Sequence, residues 1–316
     1  MKQELKVYRL DEKPEYALKL KSFLNLSLEK DFITDHMLRR CTVQDPNYNL
    51  KLTFLALEKG ELIGLLIGAE RTTAPKEVVE AQKQLAWIKV IAIPPRHRSK
   101  KLFKELLNEF LEEMRGKGKK EIRVANFASW YFHPGVDVQY DYYLLNYLNA
   151  AFNKYDEVVD YEVDLKHFHT PTRIKLIEKS LIEKDITFKE VKRGDINNIE
   201  SWIKNNFSPY WAYEAKLATI EPDGGLWIAY NSNNQILGFS AYGALEPNWF
   251  GPIGVIKEAR NMGIGTVLLF KTLNSMRLNG VRIAIIPWTQ HLYFYAQIPG
   301  LMGIRHYWLL KLLLKP

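Results

Sequence analysis

From Trp249 to Leu269 the chain reads WFGPIGVIKEARNMGIGTVLL, and this stretch carries the residue types that an anion site needs. The apolar run Phe250 to Ile256, interrupted by Gly251, Pro252 and Gly254, predicts a strand that is bent or bulged. A charged turn follows, then Arg260, then Gly263 and Gly265 spaced by one residue, then an apolar helix. Glycines at a helix start allow a tight turn and leave no side chain between a ligand and the amide N–H groups of Met262 to Thr266. The helix dipole adds about 0.3–1 kcal/mol per nearby negative charge, and Arg260 supplies a fixed cation. The chemistry expected of such a turn is pyrophosphate binding.

Farther on, the segment PWTQHLYFYAQIPGL holds Tyr293 and Tyr295, two phenols able to give up a proton. Glu246 lies just before the bent strand and His291 lies beyond it, so both are placed to take a proton. Trp211, Tyr213, Trp249 and Trp288 are available to wall a pocket, although core packing is the commoner fate of tryptophan. His133 and Asp137 flank Pro134-Gly135, and a histidine beside such a turn is more often structural. No second ligand stands at metal spacing, so no metal is expected.

The glycine turn fits neither common nucleotide motif. A phosphate loop needs a lysine and a hydroxyl after its last glycine, and here Thr266 and Val267 follow Gly265; the dinucleotide fingerprint needs a third glycine at position 268, which is Leu. The turn resembles the acyl-CoA loop of the GNAT superfamily of N-acetyltransferases, [QR]xxGx[GA], which Arg260, Asn261, Met262, Gly263, Ile264 and Gly265 match without a gap. The preceding GPIGV resembles that superfamily's splayed fourth strand. The resemblance implies that acetyl-CoA, or another short acyl-CoA, is held by the backbone of Ile253, Gly254 and Val255 and by the loop from Arg260 through Thr266. Phe294-Tyr295, with Gly300 after four residues, is similar to the superfamily's FYxxxxG segment, in which the tyrosine faces the sulfur. This implies Tyr295 as proton donor, with Tyr293 its rival, and Glu246 as the nominated base. The implied reaction is acyl transfer to a primary amine of a small molecule or peptide. A non-catalytic acyl-CoA sensor would use the same loop.

The elements that must position these residues occur twice. In the first half, an initial strand over 5–12 precedes an amphipathic helix from Pro14 to Leu28 that buries Leu18, Leu20, Phe23, Leu24 and Leu28. A hairpin (54–57 and 62–67), a buried strand ended by Pro94 and Pro95, a helix from Leu102 to Met114, a strand over 122–127, a helix over 142–152 and a strand over 158–165 follow. In the second half, a strand over 186–191 leads to a helix capped by Asp195, a helical stretch from Trp211 to Leu217, a hairpin (226–230 and 236–241) and the glycine-turn strand. A strand over 281–286 comes last. Ile93, Arg98, Lys101 and Phe103 occupy the slots of Val255, Arg260, Gly263 and Gly265, so the first loop lacks both glycines and Lys101 is expected to crowd the phosphate space.

The fold class is therefore α/β (α+β): two tandem GNAT-like modules, each a mixed, mostly antiparallel sheet flanked by helices with a splayed central strand. This arrangement resembles mycothiol synthase-like proteins. The expected partition is an N-terminal module over 1–168, a linker helix over 169–185 and a C-terminal, catalytic module over 186–316.

Composition bounds the setting. The 316 residues are too many for one ordinary domain, and 47% hydrophobic content supports sizeable cores. No run reaches membrane-span length and the N-terminus lacks a signal-peptide core, while Cys41 is the single cysteine. A soluble protein of a reducing cytoplasm is the expectation. The net charge of +8 favours anionic partners. The basic clusters at 96–101 and 117–120 read as solvated turns in preference to a nucleic-acid face, because no aromatic-interleaved motif accompanies them; a nucleic-acid binder using 96–101 is the less favoured alternative.

Overall fold

Runs that are apolar on both faces build the centre of the first unit. The computed structural model describes residues 5–191, 194 and 196–315, so the cap expected at Asp195 lies outside the described residues. Strand β1 (Lys6–Arg9) leads through a 3-10 turn into α1 (Leu20–Ser27) and α2 (Asp35–Cys41). Strands β2 (Thr53–Glu58) and β3 (Glu61–Ala69) form an antiparallel hairpin, turned by Lys59 and Gly60, both at positive φ. After α3 (Lys76–Gln82), β4 (Leu85–Ala92) runs antiparallel to β3 and parallel to β5 (Glu121–Val124). A parallel pair needs a crossover, which α4 (Lys100–Gly116) supplies.

Helix α4 buries Leu102, Phe103, Leu106, Leu107, Phe110, Leu111 and Met114 at helical spacing. It lies tightly on β3, since a Cβ at Gly64 would stand 2.8 Å from Leu106 and one at Gly68 would stand 2.3 Å from Phe110. Strand β6 (Val136–Asp137), α5 (Asp141–Asn149) and the start of β7 (Asn153–Asp164) complete this unit with the end of the last strand.

The second unit opens with the rest of β7 and with α6 (Thr172–Ile182). Its four-stranded antiparallel sheet has the order β11-β10-β9-β8, made of β8 (Thr187–Val191), β9 (Gly225–Tyr230), β10 (Ile236–Tyr242) and β11 (Phe250–Val255). Helices α7 (Asn197–Asn206) and α8 (Pro209–Ile220) precede β9. Helix α9 (Ile264–Leu278) packs on β9, β10 and β11. Strand β12 (Ile283–Thr289) pairs antiparallel with β7, and α10 (Leu292–Tyr295) connects it to β13 (Leu301–Leu313).

The compact units are Met1–Val158 with His306–Pro316, and Val159–Arg305, a division different from boundaries at 168 and 186. The reason is strand pairing: Tyr307 and Trp308 pair with β6, and Lys311 to Leu313 pair with β5. The 169–185 stretch does hold a helix, α6, which packs on α9 inside the second unit.

Two helix-level expectations change. Leu18 is 93% exposed, because residues 14–19 form a 3-10 helix whose tighter turn shifts the buried face away from it. Helices α2 and α3 and strand β13 stand where no element was expected. The two helices have seven residues each, too few for periodicity to show, and α3 buries none of its residues.

The first unit also buries an ion pair. Lys89 of β4 donates to Asp45 and to the Cys41 carbonyl, each at 2.6 Å, and both charged side chains are fully buried. Burial pulls the Lys89 ammonium below the usual lysine range against the pull of Asp45. Removing one partner strands the other charge in the core, so Lys89→Ala should lower stability by about 3–5 kcal/mol. Chemical denaturation of the full chain checks this.

Candidate functional site

The site is built on a strand that loses its neighbour. Strand β11 pairs with β10 on one side, with Gly238, Phe239 and Ser240 opposite Val255, Gly254 and Ile253. Ile256 N–H donates to the Leu237 carbonyl at 3.0 Å, so strand alternation turns the N–H and C=O groups of Gly254 toward β10 and those of Ile253 and Val255 away from it. On that other side β11 is the edge of its sheet. It meets β12 at one parallel bridge, Trp249 with Ile285, where Ile285 N–H donates to the Asn248 carbonyl at 2.9 Å. Strand β12 pairs with β7 along its other edge.

The loop behind the splay is ordered by its own residues. A 3-10 turn (Lys257–Ala259) brings Arg260 back so that its Nε donates to the Val255 carbonyl at 3.1 Å. Asn261 has φ 63° and Gly263, the N-cap of α9, has φ 95° and ψ 0°. Gly263 has no side chain with which to cap, so the first-turn amides of Ile264, Gly265 and Thr266 face the loop without a side-chain acceptor from it. A Cβ at Gly263 would stand 2.5 Å from the Ile177 methyl of α6, whereas one at Gly265 would stand 3.5 Å from Val255 and 3.6 Å from Phe294. Helix α6 is held there by the Glu178–Lys271 ion pair at 2.6 Å. Arg260, Asn261 and Met262 are exposed.

The two tyrosine candidates separate completely. Tyr293 is 97% exposed, while Tyr295 is buried against Tyr161, Phe250 and Phe294, with ring centroids at 5.8, 6.2 and 4.9 Å. Its hydroxyl bonds the Thr289 side chain, and burial raises the phenol above the usual tyrosine range. Because Phe250 is the first residue of β11, Tyr295 stands at the closed end of the splay, and Phe294 stands nearer the glycine loop.

On the other face of β11, Gly254 is covered by an aromatic ring. A Cβ there would stand 2.6 Å from Phe207, which stacks on Trp211 at 5.5 Å and meets Phe239 at 5.4 Å edge-on. Trp202 joins the cluster at 5.7 Å from Phe207. Phe207 and Trp202 escaped sequence reasoning, because no spacing rule links a helix C-terminus to a glycine in a distant strand. Glu246 is buried in the turn between β10 and β11 rather than exposed there, Trp249 is buried, and His291 is exposed. Trp288 has φ 52° and its N–H donates to Asp160 at 2.8 Å.

The first unit's loop departs from expectation. Lys101 points to solvent and pairs with Glu105 at 3.7 Å, so its ammonium does not crowd the phosphate space. Phe103 instead turns into the core. His133 pairs with Asp31, far away in the chain, at 3.1 Å, and Asp137 accepts from Gln139 N–H at 2.7 Å. Among the described residues no group of three or more His, Cys, Asp or Glu side chains is placed to hold a metal, and no helix is long and apolar enough to cross a membrane.

A parallel strand pair thus opens beside a glycine turn and a helix start. Residues 17–134 match the Acetyltransferase (GNAT) family. The match falls on the unit whose loop lacks the glycines. No curated protein matches the chain. Among solved structures, the GCN5-related glucosamine N-acetyltransferase region of a fungal multi-domain GH3 beta-N-acetylglucosaminidase superposes with a TM-score of 0.73 at 17% identity, over 98% of this chain and 38% of that one. A tandem GNAT protein from the clavulanic acid biosynthesis pathway superposes with a TM-score of 0.68 at 12% identity, over 99% of both chains. A GCN5-related N-acetyltransferase from Sphaerobacter thermophilus gives 0.67 at 13% identity, over 99% of this chain and 96% of that one. Residues 17–134 are thus similar by sequence to the Acetyltransferase (GNAT) family, and the whole length has the fold of tandem GNAT proteins.

The glycine geometry yields a direct prediction. Gly263→Ala forces a left-handed backbone onto a residue with a Cβ that also meets Ile177, so it should cost about 1–3 kcal/mol. Gly265→Ala meets only ordinary contacts and should cost far less. Thermal or urea unfolding of the two variants separates them.

Proposed function

We propose that the chain transfers an acetyl or other short acyl group from acyl-CoA to a primary amine of a small molecule or peptide, using the second unit. The family's general chemistry is acyl transfer from acyl-CoA to an amine. One observation carries the assignment to the second unit: the free edge of β11 runs directly into an uncapped helix start behind Arg260 and Gly263. In this reading the outward backbone groups of Ile253 and Val255 hold the pantetheine and the thioester oxygen. Gly254 contributes the absence of a side chain, which lets Phe207 close that face. The amides of Ile264, Gly265 and Thr266, with Arg260, Asn261, Met262 and the turn at Gly263, receive the pyrophosphate.

The amine nitrogen attacks the thioester carbonyl carbon, and the carbon–sulfur bond breaks as the tetrahedral intermediate collapses. The Tyr295 phenol gives its proton to the leaving thiolate, and the excess proton on nitrogen passes to Glu246 or to water. Burial favours a neutral Tyr295, the form that donates. The aromatic wall of Phe207 and Trp211 faces the acceptor side and suits an amine carried on an apolar or ring-shaped body.

Three outcomes test this. Mass spectrometry of the purified protein with acetyl-CoA should detect bound CoA, and an amine panel should release free thiol; binding without turnover on any amine would indicate a sensor. Arg260→Gln should weaken acetyl-CoA binding roughly ten- to a hundredfold, the loss of one charge-assisted contact. Tyr295→Phe should lower kcat with little change in acetyl-CoA affinity, while Tyr293→Phe should change neither. Because the Tyr295 pKa is raised, its proton stays bound through about pH 10. A rate change between about pH 7 and 10 should therefore survive in Tyr295→Phe, as a pH–rate profile would record.

A further inference from the structure

The two units treat the same splayed strand in opposite ways. In the first unit β4 pairs with β5 from Leu85 to Ile88, Ala125 N–H adds a bond to the Ile88 carbonyl, and β4 then runs on to Ala92 paired with β3 on its other side but no longer with β5. Trp87 stands six residues before Ile93, as Trp249 stands six before Val255. A 3-10 turn (Pro95–His97) brings Arg98 back so that its Nε reaches the Ile93 carbonyl at 3.4 Å, matching Arg260 on Val255. The scaffold of an acyl-CoA site is therefore present in the first unit.

Apart from that arginine contact, what fills it differs. The Tyr143 hydroxyl accepts from Ile93 N–H at 2.9 Å and lies 3.1 Å from the Ile93 carbonyl, to which it donates. The Arg98 guanidinium is held by Glu29 through two bonds at 2.9 and 2.6 Å and by the Ser27 carbonyl at 3.1 Å. Helix α4 begins two residues after Arg98, whereas α9 begins four after Arg260, so the glycine turn has no counterpart. Ser99 caps α4 by accepting from Leu102 N–H at 3.2 Å, and the Tyr142 hydroxyl donates to the Ser99 carbonyl at 2.9 Å. Phe103 packs edge-on against Tyr142 and Tyr147, at 6.3 and 5.0 Å. Tyr142, Tyr143 and Tyr147 all lie on α5, which has nine residues where α10 has four.

We propose that α5 is a built-in occupant of the first unit's cofactor cleft, its Tyr143 phenol holding the strand amide and carbonyl that an acyl-CoA pantetheine would otherwise take. Tyr142 and Ser99 close the helix start where the pyrophosphate would sit, and Glu29 neutralises the loop arginine. The chain then carries one acyl-CoA site, in the second unit. This count rests on the proposed function; the plug itself does not.

Hydrogen exchange on the full chain tests both parts. Tyr143→Phe keeps the ring and removes the hydroxyl, so the Ile93 amide should exchange about tenfold faster, the weight of one net hydrogen bond. Saturating acetyl-CoA should slow exchange over residues 253–266 and leave residues 93–103 unchanged, with one equivalent bound by calorimetry. An unaltered Ile93 rate in Tyr143→Phe, protection of 93–103 by acetyl-CoA, or a second equivalent bound would overturn the proposal. If acetyl-CoA protects neither segment, the reading of the second unit fails, and the Ile93 rate still decides the plug.

Discussion

A central strand that leaves its parallel neighbour exposes backbone donors and acceptors inside a sheet, and those groups need partners. Both units meet this constraint, after Ile88 in the first and after Trp249 in the second. In each, an arginine five residues beyond the key strand position reaches back to that position's carbonyl, Arg98 to Ile93 and Arg260 to Val255. The remaining groups are answered differently. The first unit satisfies them with its own Tyr143, and in the second β11 is the edge strand of its sheet.

The difference follows from small changes in the helices around the splay. Gly263 in the left-handed region delays the start of α9 and leaves its first amides facing a turn, whereas Ser99 starts α4 early and caps it. The one-turn α10 sets Tyr295 against Phe250 at the start of β11, whereas the longer α5 sets Tyr143 against Ile93 just past the end of β4. The other face is also filled in the first unit, where the buried Lys89–Asp45 pair lies on β4. In the second unit Gly254 stands where β4 has Ala92, and Phe207 approaches the strand there so closely that a Cβ would stand 2.6 Å from its ring.

Much of this was legible from residues alone. The hairpins, the two splayed strands and the long helices α4 and α9 announce themselves through apolar periodicity and through glycine and proline punctuation, which are local properties. Helices α2 and α3 did not, because one or two turns carry too little periodicity. Strand β13 did not, because its burial changes along its length as it passes from one compact unit to the other. The solvent-facing Leu18 shows the same limit, since a 3-10 turn and an α-helix read alike over six residues.

The sequence by itself determined the loop chemistry: Arg260, Gly263 and Gly265 in register after a bent strand, and their absence from the first half, are facts of residue type and spacing. Only the tertiary structure decided how the first loop is blocked. Lys101 has a flexible stem and turns to water, so the obstruction comes from Tyr142 and Tyr143, more than forty residues away in the chain. Likewise the choice between Tyr293 and Tyr295 as the buried phenol depends on which face of a single helical turn meets Phe250 and Tyr161. That face is set by long-range packing, which one turn of sequence does not encode.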